Sequence, residues 1–186
     1  MALFVLIFAI AISLINGGKI SNLFKVNLRY VLFLLITVLI NLALLIAITR
    51  FNLPYRREMM LVYPYVNIFT FFVMIFFSVA NNKYFAFNII AVGLALNLIA
   101  MINYGGFMPV LKEALVFNGS HQELAVLEKS MSMTHTLVSS GKTFNALADT
   151  IPLGIFTRLK TVISIGDILL SLGIFMLVED VMKRRS

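Results

Sequence analysis

Asp149 and Asp167 are the residues of this chain whose settings call for chemistry. Asp167 lies inside the last apolar stretch, Val162-Ile-Ser-Ile-Gly-Asp-Ile-Leu-Leu-Ser-Leu-Gly-Ile-Phe175. A carboxylate buried in a bilayer-spanning helix costs several kcal/mol, and aspartate is too short to snorkel far, so it needs a partner, a proton or a water-filled cavity. Asp149 stands eighteen residues upstream, in Leu147-Ala-Asp-Thr-Ile-Pro-Leu153. An excursion of Ile151–Thr161 along the membrane surface would bring the two carboxyls together. Two close carboxyls cannot both ionise cheaply, so one becomes an acid and the other a base. The plainer readings are a cap or turn role for Asp149 before Pro152, and a neutral or hydrogen-bonded Asp167 within a polar bundle.

Other residues with the means to support such a site are few. Ser164 and Ser171 lie three before and four after Asp167, so the three share one helix face, directed at protein or water. Asn103-Tyr-Gly-Gly-Phe-Met-Pro is the densest turn signal. Its Gly105 and Gly106 permit positive φ and close backbone approach, and beside the Asn103 amide they could present N–H groups to a ligand. Read structurally, the same segment is a helix terminator. His121 is expected to face solvent, whereas His135 is a candidate to pair with a carboxylate. Zinc needs about three or four convergent ligands, no His-x-x-x-His spacing occurs, and the chain has no cysteine. No metal or cofactor site is expected, and no phosphate-binding glycine loop or Gly-x-Ser-x-Gly elbow is present.

The elements that must position these residues are set by the solvent. Of the 186 residues 61% are hydrophobic and 12% charged, against about 45–50% and 25% in soluble domains. The apolar residues form long runs, so the expected fold is an all-α polytopic membrane helical bundle forming one domain over residues 1–186. About five spans can be drawn: 1–15, 30–49, 59–80, 84–102 and 162–178, the last carrying Asp167 about one and a half turns in. Between the fourth and fifth lies a partly helical, interfacial 59-residue segment, 103–161, with helices expected over Leu111–Phe117 and Gln122–Met133.

The net charge of +7 sits mostly at the ends of the apolar runs, including Lys19, Lys25, Arg29, Arg50, Arg56, Arg57, Lys183, Arg184 and Arg185. That pattern fits headgroups and excludes a nucleic-acid partner; the bilayer is the partner it implies. Placing the C-terminal basic residues in the cytoplasm puts segment 103–161 outside and leaves Arg50, Arg56 and Arg57 against the bias. Within the spans, Thr37, Asn41, Asn67, Thr70, Asn88 and Asn97 read as hydrogen-bonding glue between helices.

Two resemblances follow from the residues. Asn103-x-Gly-Gly-x-Met-Pro-Val, then Ala148-Asp-x-Ile-Pro, then Ser164-Ile-Gly-Asp-Ile-Leu resembles a bacterial family of small multi-pass membrane proteins known as a domain of unknown function. It implies a protein of the bacterial cytoplasmic membrane and no activity. The last helix, Val162-Ile-Ser-Ile-Gly-Asp167 with Gly173 six residues on, is similar to the final helix of lipoprotein signal peptidase, an intramembrane aspartic protease. That resemblance implies Asp149 and Asp167 as a catalytic pair activating water on a membrane-anchored peptide, with Asn103-Tyr-Gly as a supporting segment. Ser164 and Gly166 stand where that family has Asn and Ala, and five spans replace four. Besides a ligand-binding membrane protein and this hydrolase, a small ion-coupled carrier is the third class, although no internal repeat accompanies it.

Overall fold

The structure, a computed structural model, describes residues 2–51, 53–129, 131–154 and 161–183. Met1, the basic pair Arg184-Arg185 and the middle of the Ile151–Thr161 excursion lie outside the described residues.

The chain is mostly helical: α1 (Ala2–Ile15), α2 (Val31–Arg50), α3 (Arg56–Ala80), α4 (Phe85–Asn103), α5 (Lys112–Phe117), α6 (His121–Glu128) and α7 (Ile165–Lys183). Three of these, α2, α3 and α4, are long and apolar enough to cross a membrane. In hydrocarbon a helix satisfies its own backbone, so runs of Leu, Ile and Phe need no amphipathic face. Leu32, Leu39 and Ile40 of α2 and Phe69, Phe72 and Phe76 of α3 are accordingly exposed. Of the five expected spans, α1 has only 14 residues, and α7 carries Asp167, Glu179, Asp180 and Lys183.

The helices pack as a row, α2 on α3, α3 on α4, α4 on α7 and α7 on α1. Asn41 Nδ2 of α2 donates to Asn67 Oδ1 at 3.4 Å and Thr70 Oγ1 at 3.2 Å on α3, the interhelical role expected of them. The α4–α7 seam is built on glycine. A Cβ on Gly93 would strike the Gly166 carbonyl, and one on Gly173 would strike Ile90 and the Ala86 carbonyl. Small residues let backbones approach where no hydrophobic force drives association. At the end away from Asp167, Lys19 N–H and Asn22 Nδ2 both donate to the Met182 carbonyl, at 2.9 and 3.0 Å. There too Asn81 bonds both backbone groups of Arg29. At the opposite end Arg56 Nε donates to the Ile48 carbonyl at 2.9 Å, so one of the basic residues between these helices ties the end of α2 to α3.

The segment between α4 and α7 corrects the all-α expectation. It contains β1 (Met108–Val110) and β2 (His135–Leu137), paired in parallel, and β3 (Ile151–Pro152) and β4 (Val162–Ile163), paired antiparallel. Val110, Ala114, Leu115, Leu127 and Val162 form a small core of their own beneath α5 and α6. The helix expected to reach Met133 stops at Glu128. Ser132 Oγ accepts the N–H groups of Thr134 and His135 at 3.3 and 3.1 Å, turning the chain into β2. The last helix likewise begins at Ile165, because β4 takes Val162 and Ile163.

Candidate functional site

Ser164 and Asp167 start α7 with a reciprocal capping box. Asp167 N–H donates to Ser164 Oγ at 3.0 Å, and Ser164 N–H donates to Asp167 Oδ2 at 3.2 Å. Asp167 thus lies in the first turn of the helix and not one and a half turns inside it, a correction that follows from the later helix start. Asn97 on α4 completes the arrangement: its Nδ2 donates to Asp167 Oδ1 at 3.0 Å while its Oδ1 accepts from Ser164 Oγ at 2.9 Å. A carboxylate with two donors at a helix N-terminus sits where negative charge is favoured. Gly166 is required between them, since a Cβ there would collide with the Asn97 side chain. Ser171 Oγ donates to the Asp167 backbone carbonyl at 2.7 Å, not to its carboxyl.

Asp149 reaches the same place through backbone pairing. Its N–H donates to the Pro109 carbonyl at 2.8 Å and its carbonyl accepts from Leu111 N–H at 2.9 Å, a parallel bridge to Val110 on β1. It is therefore held by an isolated β-bridge just before β3, where a cap or turn was the plainer expectation. The β3–β4 register pairs Ile151 with Ile163 and Pro152 with Val162. Thr150 N–H donates to the Ile163 carbonyl at 3.1 Å, so the pairing reaches the residue after Asp149, and Ile165 then begins α7. The pairing of β3 with β4 returns the chain to Asp149's neighbourhood just before α7 begins.

His135 hangs from the other side of β1, registered with Met108. Its Nε2 lies 3.8 Å from Asp149 Oδ2, and its Nδ1 is 2.7 Å from Thr134 Oγ1. Asp149 is 4% exposed and its Oδ1 has no hydrogen-bond partner. Burial, reinforced by the charges of Asp167 and Glu123, pushes its carboxyl up to about 8. Burial pushes half-exposed His135 the other way, below its ordinary value, against the pull of Glu123 and Asp167. At neutral pH the pair is a protonated acid beside a neutral imidazole rather than an ion pair.

These three side chains form the wall common to two cavities. One, of about 360 Å³, extends to Asn41, Tyr63, Asn67 and Asn97 between α2, α3 and α4. The other, of about 290 Å³, runs along Leu170 and Ile174 of α7 beneath Val162 and Ile163. Asn97, Asn41 and Asn67 enter the site although their sequence reading was helix glue; an amide in an apolar run was the one signal that marked them.

Asn103, Gly105 and Gly106 do not line either cavity. Gly106 N–H donates to the Met101 carbonyl at 2.8 Å, closing α4 in a Schellman-type turn. Gly105 and Gly106 have φ of +66° and +95°. The Asn103 amide donates to the Thr143 carbonyl, and Lys142 Nζ donates to the Asn103 carbonyl at 2.7 Å. Asn103-Tyr-Gly-Gly106 terminates α4, and Asn67 Nδ2, which lines the cavity, donates to the Gly106 carbonyl at 3.2 Å.

The model of a family of unknown function, DUF5317, matches residues 2–179. An uncharacterized protein of Thermotoga maritima is 29% identical over 170 residues, 91% of this chain and 86% of its own. No solved structure matches.

Proposed function

The chain belongs to the DUF5317 family of unknown function, and from that premise we propose a five-span protein of the bacterial cytoplasmic membrane that acts on a membrane-anchored molecule at its Asp149–Asp167 cavity. The observation that carries this reading is the common cavity wall of two carboxyls in opposite surroundings. Asp167, held by Asn97 Nδ2 and the Ser164 N–H, suits the base. Buried Asp149, protonated at neutral pH, suits the acid. In a hydrolase of the aspartyl type, Asp167 takes a proton from water as it attacks a peptide or ester carbonyl, and Asp149 gives its proton to the carbonyl oxygen. The tetrahedral diol then collapses as Asp149 takes back a hydroxyl proton, the C–N or C–O bond breaks, and Asp167 gives its proton to the departing amine or alcohol. His135 stands beside that acid, its Nε2 3.8 Å from Asp149 Oδ2.

The five-span arrangement is supported by the helix ends. The turn after α1, the α3–α4 hairpin and the C-terminal end of α7 carry Lys19, Lys25, Arg29, Lys83 and Lys183, a basic cluster that supports reading that end as the cytoplasmic one. The carboxyl site and segment 103–161 then face outward.

The test compares Asp149→Asn and Asp167→Asn with wild type for processing of membrane-anchored substrates in cells. Both variants are expected to lose activity roughly 10²–10⁴-fold at unchanged protein level. Unchanged processing in both dismisses catalysis. A proton-coupled carrier is the second reading, favoured by cavities on both sides of the carboxyls. It predicts uptake that Asp167→Asn abolishes.

A further inference from the structure

The loop between β2 and Asp149 is tied to the end of α4 at several points. Ser139 N–H donates to Tyr104 Oη at 3.2 Å, and Tyr104 Oη donates to Asn145 Oδ1 at 2.6 Å. Lys142 Nζ lies 4.3 Å from the centre of the Tyr104 ring and donates to the Asn103 carbonyl. The Asn103 amide in turn donates to the Thr143 carbonyl, and Leu147 packs on Ala100, Met101 and Met108. Phe144 is the exception. Its neighbours Thr143 and Asn145 are both held, yet Phe144 itself is 58% exposed.

The backbone there sharpens the point. Phe144 has φ +62° and ψ +21°, the left-handed region that a bulky residue enters only when its surroundings impose it. Glycine or asparagine would meet that turn more easily, so the turn alone does not account for an aromatic ring. Single exposed apolar side chains on a surface in water need no explanation, but this one stands at a boundary. α4 is apolar and long enough to cross a membrane and ends at Asn103. The residue after Thr143 is therefore level with the edge of the hydrocarbon. Phe51 and Tyr55, in the connection from α2 to α3, are exposed at the same end of the helices. Aromatic rings and basic residues together are what the bilayer interface collects. Lys142 stands near Phe144 as Arg50 and Arg56 stand beside Phe51 and Tyr55.

We infer that Phe144 is a bilayer anchor, its ring inserted among the lipids at the hydrocarbon edge, in line with Phe51 and Tyr55. The partner is the lipid itself. Asp149 follows five residues on, and Leu147 and Ala148 between them are packed against the protein. The anchor thus holds the loop that leads into Asp149 and sets the depth of the carboxyl cavity at the lipid boundary. It goes beyond the reaction proposed for that cavity and does not depend on it.

The chain has no tryptophan, so Phe144→Trp reports on its own surroundings. With the full chain in phosphatidylcholine nanodiscs, its fluorescence is expected to be quenched most by lipid brominated near the headgroup end of the acyl chain. Phe72→Trp, on the exposed face of α3 in mid-span, is the deep control, and Gln122→Trp, exposed on α6, is the aqueous one. Quenching by aqueous acrylamide to the level of Gln122→Trp, with none by brominated lipid, overturns the inference. Protection from both quenchers overturns it in favour of a protein partner. Phe144→Asn gives a second measurement, because it tolerates the left-handed turn and loses the ring. Hydrogen exchange of residues 142–149 in nanodiscs is expected to quicken about tenfold over wild type in that variant. Exchange as slow as in wild type, or slower, would make Phe144 a turn residue only and overturn the inference.

Discussion

Asn97 and Asp167 are joined across the α4–α7 seam by a 3.0 Å hydrogen bond, and Ser164 closes the triangle by bonding to both. One amide thus serves two purposes: it fixes a carboxylate and it fastens the helix that carries it. The helix starts at these bonds, so the same contacts hold the fold and orient the Asp167 carboxylate.

Removing the triangle should cost stability as a unit. Ser164→Ala loses a cap worth about 0.5–2 kcal/mol, and Asn97→Ala loses the bond to the carboxylate. The double variant is expected to be less destabilised than the sum of the two, with a coupling of about 0.5–3 kcal/mol. Thermal unfolding in detergent across the four-member cycle measures it; strict additivity would mean that the bonds are independent.

Gly166→Ala should be damaging although alanine is the better helix former. The new methyl group meets Asn97 Oδ1 and the Gly93 carbonyl, and neither a backbone oxygen nor a doubly bonded amide gives way cheaply. A loss of about 1–3 kcal/mol is expected from such overpacking, together with lost activity as Asn97 is displaced from Asp167. A melting temperature at or above that of wild type would contradict the tight seam.

Gly105 and Gly106 should separate under the same substitution. Both have positive φ, but nothing lies near a Cβ at Gly105, whereas one at Gly106 strikes the Pro64 side chain and carbonyl. Gly105→Ala is expected to cost about 1–2 kcal/mol from backbone conformation alone. Gly106→Ala should cost more and loosen α3 from the end of α4. Comparing the two melting temperatures decides between turn geometry and packing.

The buried carboxyl of Asp149 makes stability fall as pH rises. Its value in the folded protein is raised from the ordinary 3.8 to about 8, so between those limits the folded chain holds a proton that the unfolded chain releases. Its contribution is complete below the ordinary carboxylate value and is lost as pH climbs through the folded one, by at most about 1.4 kcal/mol per pH unit. Asp149→Asn cannot lose a proton there. Its stability relative to wild type is therefore expected to increase from about pH 5 to about pH 8, measured by unfolding at both. A constant difference would show that Asp149 is ionised throughout.

Much of this was legible in the residues. Unbroken apolar runs bounded by Arg29 and Arg50, or by Asn81-Asn82-Lys83, read as helices in hydrocarbon, because a helix satisfies its own backbone and the runs are too long and lack the alternation of barrel strands. Asp167 stood out because a carboxylate in such company is costly, and Ser164 by its spacing. The function of Asn103-Tyr-Gly-Gly was less legible. Paired glycines signal a turn but not what the turn faces, and here Gly106 packs on Pro64 while Gly105 is open.

The sequence by itself determined the solvent, the principal helices and the two carboxyls, since these follow from hydrophobicity and from the cost of burying charge, which act locally. Only the tertiary structure decided that Asp149, Asp167 and His135 share one cavity. That convergence rests on β1 receiving His135 on one side and Asp149 on the other, and on a hairpin register that returns Val162 to Pro152. Strand pairs two or three residues long have no period to read. Their register is set by backbone hydrogen bonds between distant segments, and those exist only once the helices have brought the segments together.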